Sequence, residues 1–218
     1  MTAVLVMAKE CVPGRVKTRL TPPWTPAEAA AIAAASLRDT LAFVGRLPVD
    51  RRILVFDGTP PPGIDGFEVA AQSSGGLDGR IATALDGCRE PALLLGMDTP
   101  QLRPDDVAAP LAAWRSGRAG ADAWIGPAAD GGFWALALTH PSGDLVRGVP
   151  MSRADTGVRQ RARLVDAGMV VEDLPTRTDL DDAASLAEVL IACPPTSALR
   201  RLLQPAPAHR DAEGAAGR

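Results

Sequence analysis

A basic segment directly follows the first apolar run of the sequence. The segment KECVPGRVKTRL carries four cations around a Pro-Gly turn, after the run AVLVMA: Lys9, Arg15, Lys17 and Arg19. Four cations in one short loop repel each other, so either a bound anion or open water must offset their charge. Gly14 would allow a tight turn and a close approach of the backbone to a ligand. The segment therefore predicts either a phosphate-binding loop or a solvated basic loop.

The spacing of residues within this segment excludes two common kinds of nucleotide-binding site. Arg15, Lys17 and Arg19 alternate along the chain, so they would share one face of an extended stretch. The P-loop pattern requires Gly-Lys-Ser/Thr directly before a helix, and the dinucleotide fingerprint requires glycines that this segment lacks. The segment therefore matches neither of these two nucleotide-binding motifs.

Asp98 ends the most apolar stretch of the chain, PALLLGMD. A carboxylate at the end of a buried strand is costly unless it is paired or bound to a metal. One hypothesis makes Asp98 a ligand for a hard divalent cation, whose coordination shell the phosphates of a nucleotide would complete. The alternative makes Asp98 an N-cap or turn residue for a helix that begins near Pro104.

Two further acidic segments follow predicted strands. Asp130 precedes Gly131 and Gly132 between the apolar runs AWIGPA and FWALAL. Asp130 could orient an acceptor hydroxyl or act as a base, or the Asp-Gly pair could simply form a hairpin turn. The segment RTDLDDAASL places three carboxylates before a predicted helix: Asp179, Asp181 and Asp182. One of the three is expected to be an N-cap, and another could be a second metal ligand.

The elements that must position these residues alternate between strands and helices for most of the chain. This alternation predicts an α/β fold with a mostly parallel sheet covered by helices on both faces. The two strands around Asp130 lack an intervening helix, which predicts one antiparallel excursion. Thr25 and Glu28 predict a helix from about Pro26 to Val44. Ligands of such sheets bind beyond the carboxyl ends of the strands, where the basic and acidic segments are expected to meet.

Length and composition predict a single domain. The 218 residues are 46% hydrophobic, which suffices for one sizeable α/β domain, predicted to span residues 1–193. Residues 194–218 are rich in Pro and Ala, and we expect a disordered tail there with at most a helical turn at Ser197–Leu203. The net charge of −3 argues against nucleic acid as a partner. The apolar runs are too short to span a membrane.

The number of cysteines and the absence of known catalytic motifs limit the kinds of reaction that the protein could catalyse. Three widely spaced cysteines, Cys11, Cys88 and Cys193, form no visible disulfide or zinc framework, so a cytoplasmic location is expected. The patterns GxSxG, HExxH and CxxC are missing from the sequence. Metal-independent nucleophilic catalysis is therefore disfavoured.

Taken together, these segments resemble one family. Six segments resemble, in this order, segments of the radical-SAM/selenodomain-associated transferases: KECVPGRVKTRL, a Q followed by LDGR, LLLGMDTPQL, GPAADGGFWALAL, GVPMS and DLDDAASL. That family is a branch of the glycosyltransferase-A-like, nucleotide-diphospho-sugar transferase superfamily, and the resemblance covers about Ala3 to Ile191. The segments KTRL and DTPQL are also similar to those of 2-phospholactate guanylyltransferase and the molybdenum-cofactor guanylyltransferases.

The resemblance implies a Rossmann-like α/β/α sandwich and a role for each matching residue. Nucleotide phosphates would be held by Lys9, Gly14, Arg15, Lys17, Arg19 and Arg80. Mg²⁺ or Mn²⁺ would be held by Asp98 and Asp181. The acceptor would be bordered by Asp130, Gly131, Gly132 and Phe133. The catalytic residues would be Lys17, Asp98 and Asp130.

We therefore expect a metal-dependent transferase that uses an activated nucleotide and a small-molecule acceptor. The density of cations favours nucleotidylyl transfer from an NTP to a small phosphorylated acceptor. Glycosyl transfer from an NDP-sugar is the first alternative. A nucleotide-binding scaffold without catalytic activity is the second.

Overall fold

The computed structural model describes residues 1–118 and 120–204. Within them, one sheet has the strand order β3-β2-β1-β4-β6-β5-β7. The strands are β1 Ala3–Lys9, β2 Arg51–Asp57, β3 Glu68–Ala71, β4 Ala92–Gly96, β5 Ala123–Pro127, β6 Phe133–Leu138 and β7 Val171–Asp173. The helices are α1 Pro26–Gly45, α2 Leu77–Asp86, α3 Ala108–Ser116, α4 Thr156–Asp166, α5 Ala183–Ala192 and α6 Ala198–Leu203.

The pairing of the strands confirms the predicted fold class. Strand β6 runs antiparallel to β4 and β5, and the other neighbouring pairs are parallel. The antiparallel strand follows from the short Asp-Gly-Gly connection, which leaves no room for the crossover that a parallel neighbour requires. The sheet is thus mostly parallel with one antiparallel excursion, as predicted.

Helices cover both faces of the sheet because successive side chains of the central strands point to opposite sides. Val6 of β1 lies in one buried cluster with Leu37 of α1. Leu5, the preceding residue, lies in a second cluster with Ile81 of α2. Each face therefore has its own apolar core, which gives the three-layer α/β/α arrangement.

Local signals in the sequence set the first helix. The Thr25 hydroxyl accepts a hydrogen bond from the Glu28 N–H at 3.2 Å, and the Glu28 carboxylate accepts one from the Thr25 N–H at 2.8 Å. This reciprocal capping box satisfies two N–H groups that the helix itself cannot pair. The helix begins at Pro26, as predicted, and extends to Gly45.

The C-terminal part of the chain differs from the predicted boundary at residue 193. Helix α6, Ala198–Leu203, packs into a third buried cluster with α1 and α5. The Asp39 carboxylate of α1 accepts hydrogen bonds from the first two N–H groups of α6, at 2.6 and 2.9 Å. The helical turn expected at Ser197–Leu203 is thus a helix that packs against the domain, and the folded part of the chain extends past residue 193. The rest of that predicted tail, residues 205–218, lies outside the described residues.

In residues 1–118 and 120–204, no helix combines the length and the apolar character that crossing a bilayer requires.

Candidate active site

The ends of β1 and β4 and the β5–β6 connection border a cleft of about 710 Å³. This position matches the rule that ligands of open α/β sheets bind beyond the carboxyl ends of the strands. Nine residues predicted to serve the site line the cleft: Lys9, Lys17, Arg19, Arg80, Asp98, Asp130, Gly132, Phe133 and Asp181. The fold therefore brings the basic segment and the acidic segments to one cavity.

Lys17 reaches into the cleft because the backbone turns sharply there. Its φ of 48° and ψ of 42° lie in the left-handed region, and a short 3-10 turn follows over Thr18–Leu20. Val16 and Leu20 are buried on either side and anchor the turn. The expectation of an extended stretch with three cations on one face is therefore wrong, since the turn separates Lys17 from its neighbours.

The Lys17 ammonium lies between two carboxylates. Its Nζ is 2.8 Å from Asp98 Oδ2 and 2.9 Å from Asp181 Oδ1, and only 7% of its side chain is exposed. Burial lowers the pKa of Lys17, but the Asp98 and Asp181 carboxylates outweigh burial and raise that pKa above its ordinary value. Lys17 is therefore a fixed positive charge at the floor of the cleft.

Asp98 has one paired and one unpaired oxygen. Oδ2 contacts Lys17, whereas Oδ1 is buried and has no hydrogen-bond partner in the part of the chain that the structure describes. The N-cap of the turn at Pro104–Val107 is Arg103, so the alternative that Asp98 caps this turn is wrong. The hydroxyl of the neighbouring Thr99 is likewise buried without a described partner and lines the cleft. Two unpaired polar groups on neighbouring residues are typical of a site that a ligand completes.

Three other carboxylates converge beside Lys17. Asp130, Asp179 and Asp181 each offer an oxygen atom, and these atoms lie within 4.8 Å of one another. Burial, followed by the negative charges of Asp130, Asp181 and Asp98, raises the pKa of Asp179 to about 6. Oxygen donors at this spacing suit a hard divalent cation, which would relieve their mutual repulsion.

The aspartates of the acidic segment have different roles, as the sequence suggested: one caps a helix and another faces the cleft. The Asp182 carboxylate accepts a hydrogen bond from the Ser185 N–H at 2.9 Å and is the N-cap of α5. Asp181 points into the cleft, where it contacts Lys17 and lies 3.6 Å from Arg19. The sequence did not single out Asp179, because three neighbouring aspartates carry no signal of which one faces the cleft.

The connection between β5 and β6 combines a turn and a cleft residue. Asp130 Oδ1 accepts a hydrogen bond from the Gly132 N–H at 2.8 Å, which closes the turn. Gly131 has a φ of 90°, and a Cβ atom there would collide with the carbonyl oxygen of Ala154. Gly131 does not line the cleft, so close packing against residue 154 accounts for this glycine.

Arg80 also reaches the cleft from the first turn of α2. Its guanidinium donates hydrogen bonds to Asp57 at 3.0 Å and to Gln72 Oε1 at 3.2 Å. Gln72 in turn donates to the Ala8 carbonyl at 2.7 Å, at the end of β1. Arg80 is therefore held at the cleft by neighbours from β2 and from the segment after β3.

Some predicted residues lie elsewhere, and some cleft residues were missed. Gly14 and Arg15, both exposed, are not among the residues that line the cleft. The sequence-based assignment missed Gln72, Thr99 and Arg153, together with Asp179. A weak signal existed for Arg153, which directly follows the segment GVPMS.

Comparisons with known proteins agree with this fold. Residues 30–153, more than half of the chain, match the model of a family described as "Uncharacterized protein conserved in bacteria (DUF2064)". A search of curated proteins found no match. The chain is similar to a crystal structure from Desulfovibrio desulfuricans G20 described as a proposed nucleotide-diphospho-sugar transferase. Identity is 24%, 93% of each chain is covered, and the TM-score is 0.80.

A second similar structure is that of CMP:2-keto-3-deoxy-manno-octonic acid synthetase complexed with CTP. Here the identity is 14%, with 87% of this chain and 97% of that chain covered, and the TM-score is 0.51. At these identities, the likeness establishes a shared α/β fold.

Proposed function

The chain belongs to the DUF2064 family, and from the geometry of its cleft we propose that it is a metal-dependent transferase that uses an activated nucleotide. The favoured reaction is nucleotidylyl transfer from an NTP to a small phosphorylated acceptor. In this reaction, an oxygen of the acceptor phosphate attacks the α-phosphorus of the NTP. The bond from the α-phosphorus to the bridging oxygen breaks, and pyrophosphate leaves with the bond electrons.

The observation that carries the proposal is that cationic and carboxylate side chains from separate segments meet in one cleft. Cationic side chains come from the basic segment and α2, namely Lys9, Lys17, Arg19 and Arg80. Carboxylates come from β4, the β5–β6 connection and the segment before α5, namely Asp98, Asp130, Asp179 and Asp181. Cations can neutralise phosphates while carboxylates hold a metal that the phosphates also bind.

The donor set at the acidic side fits Mg²⁺ or Mn²⁺. Asp130, Asp179 and Asp181 would hold the ion, since their oxygens already converge. Asp98, the other predicted ligand, would join them only if Lys17 moved, because Lys17 lies between Asp98 and Asp181. When bound, such an ion would stabilise the negative charge that develops on the departing phosphate groups.

The protein's own cations would then position the nucleotide. Lys17, fixed and protonated, would contact a phosphate oxygen from the floor of the cleft, and Arg80 would contact another from α2. The similar structures support the use of nucleotides, because one is described as a proposed nucleotide-diphospho-sugar transferase and the other contains CTP. The first description also favours glycosyl transfer from an NDP-sugar as the second candidate reaction.

A thermal-shift screen tests the proposal. ATP, CTP, GTP, UTP and common NDP-sugars are each added with and without Mn²⁺, because a ligand that binds the folded state raises the melting temperature. The matched variants are Arg19→Ala and Arg15→Ala, which remove exposed arginines from the same segment. Because Arg19 lines the cleft, we expect Arg19→Ala to weaken binding of the nucleotide by about fivefold. Arg15→Ala should change it by less than about twofold.

The pattern of shifts, followed by turnover, separates the candidate functions. A shift for one NTP with Mn²⁺ and release of pyrophosphate would support nucleotidylyl transfer. A shift for an NDP-sugar and release of the NDP would support glycosyl transfer. Binding without turnover of any acceptor mixture would favour the scaffold, and the absence of any shift would refute nucleotide use.

A further inference from the structure

One wall of the cleft carries a cation that belongs to no phosphate-binding segment. This wall, here called the acceptor wall, consists of residues 130–133 at the start of β6 and residues 151–154 before α4. Arg153 is the only cation among these residues, and it lines the cleft. In the sheet order, β4 lies between β1, which precedes the basic segment, and β6, where the acceptor wall meets the sheet.

The backbone of the acceptor wall is fixed by its own hydrogen bonds. The hydroxyl of Thr156, a residue that is 3% exposed, donates to the Pro150 carbonyl at 2.9 Å and accepts from the Arg153 N–H at 3.0 Å. The Gly157 N–H donates to the Gly131 carbonyl at 2.8 Å, which ties the two halves of the wall together. Ser152 adopts a φ of 57°, an unusual value for a residue other than glycine. Arg153 is therefore held at a defined position.

The guanidinium of Arg153 is only loosely engaged by the protein. Its Nε donates to Asp155 at 3.2 Å, and its two terminal nitrogens have no hydrogen bond to any residue in the described part of the chain. Asp155 receives a shorter hydrogen bond, at 2.6 Å, from Arg159. Because Asp155 keeps Arg159 as a partner, Arg153 can turn toward a ligand without leaving a carboxylate unpaired. The ion pair with Asp155 is exposed on both sides and contributes little stability.

Two apolar residues line the same cleft as this cation. Phe133 and Met151, each partly buried, line the cleft and pack against the second core cluster. Their remaining surface faces a cavity that also contains Arg153. A cation in the same cavity as an apolar surface suits a ligand with two parts, a negatively charged group and an organic portion.

We propose that Arg153 binds the phosphate of the acceptor and that Phe133 and Met151 contact an apolar part of its organic portion. This assignment rests on the proposed function, because it takes the nucleotide to lie at the basic segment. It names the acceptor class as a phosphate monoester with an apolar portion. The planar guanidinium suits this role, since it can donate two parallel hydrogen bonds to phosphate oxygens.

The test uses phenyl phosphate as the probe, with inorganic phosphate and phenol as the two separated halves. Dissociation constants are measured by NMR titration of the full chain in the presence of Mg²⁺, which is diamagnetic. The variants are Arg153→Ala, the matched control Arg159→Ala, and Arg80→Ala on the nucleotide side. Arg159 shares the partner Asp155 with Arg153 but does not line the cleft.

We expect phenyl phosphate to bind more tightly than either half. Arg153→Ala should weaken that binding by about tenfold or more, because a charge-assisted hydrogen bond is lost. Arg159→Ala and Arg80→Ala should leave the constant within about twofold. If Arg159→Ala weakened binding of the probe as much as Arg153→Ala, the cluster around Asp155 would act only structurally. If only Arg80→Ala weakened binding, the probe would lie on the nucleotide side. Either result, or no binding of the probe to the parent chain, would overturn the assignment.

Nucleotide binding by the same variants separates this inference from the proposed function. Suppose that an NTP stabilises both the parent chain and Arg153→Ala, but that phenyl phosphate binds both with the same dissociation constant. In that case the acceptor assignment alone fails. If no nucleotide stabilises the parent chain, the proposed function fails.

Discussion

The charged residues of the cleft differ in whether they have oppositely charged or polar partners. Lys17 has two carboxylate partners, and Arg80 has a carboxylate and an amide partner. Asp179, by contrast, is partly buried among other carboxylates, and its pKa is raised to about 6. A group whose pKa rises on folding supports the folded state when protonated, and this support is lost as the pH rises through the higher pKa.

The substitution Asp179→Asn should therefore stabilise the protein at neutral pH. At pH 7, the ionised side chain opposes folding by about 1–2 kcal/mol, after allowance for its partial exposure. At pH 4 the carboxyl is protonated in the folded state, so the gain should vanish. Urea unfolding at both pH values without added metal measures the difference. Asp65→Asn, at an exposed position, is the control and should change the stability by less than about 0.5 kcal/mol at either pH.

Added Mn²⁺ should reverse the order of the two proteins. The parent chain gains stability from a cation at Asp130, Asp179 and Asp181, whereas Asp179→Asn loses one anionic ligand of that cation. A variant that is less stable than the parent at pH 7 without metal would contradict the view that these carboxylates repel one another.

Some of the cleft residues could be predicted from their place in a strand. Lys9, Asp98 and Asp130 each end or follow a strand, so the rule for parallel sheets places them at one edge. The inward direction of Lys17 depends on a left-handed backbone turn, which no local pattern in KTRL encodes. Arg153 enters the cleft through contacts between residues far apart in the chain, and these contacts cannot be deduced from spacing.

At the scale of elements, the acceptor wall depends on close contact between two backbone segments. Gly131 needs both its positive φ and the absence of a Cβ, because the Ala154 carbonyl lies against it. Gly14 in the basic segment has a similar φ of 75°, but a Cβ there would meet nothing within 4 Å. Substituting Gly14 would therefore cost only backbone strain, whereas substituting Gly131 would cost backbone strain and a steric collision.

We expect Gly131→Ala to destabilise the protein by about 3 kcal/mol or more, since the segment before α4 must move to accommodate a methyl group. Gly14→Ala should lose only about 1 kcal/mol, from the left-handed conformation alone. Thermal unfolding of the two variants measures the difference. Equal losses would mean that the contact between residues 131 and 154 carries no stability. If Gly131→Ala does not fold, the milder loss in Gly14→Ala still supports the distinction.

The elements themselves were largely predictable, with one informative exception. Apolar runs predicted the central strands, and the Thr25–Glu28 pair predicted the start of α1, because these signals are local. The packing of α6 was not predicted. Ser197 is its local N-cap, but the first two N–H groups are bound by Asp39, far away in the sequence, and the short helix gives no clear periodicity.

At the scale of the whole molecule, α6 belongs to the packing that supports the cleft. Leu199 is fully buried in the third cluster, together with Leu20 and Leu180. Leu20 follows Arg19, and Leu180 lies between Asp179 and Asp181. The C-terminal helix therefore packs beneath both the basic segment and the acidic segment of the cleft.

The substitution Leu199→Ala tests whether α6 unfolds with the rest of the protein. Loss of a buried leucine costs about 3 kcal/mol, which would lower the melting temperature by about 6–12 °C in a chain of this size. Leu202→Ala, one turn along the same helix at a position that is 46% exposed, should cost less than about 1 kcal/mol. Both replacements favour helix formation equally, so the difference between them reports burial alone. A single transition that shifts only in Leu199→Ala would show one cooperative unit. Identical melting curves would instead mean that α6 is an appendage and that Leu20 and Leu180 hold the cleft without it.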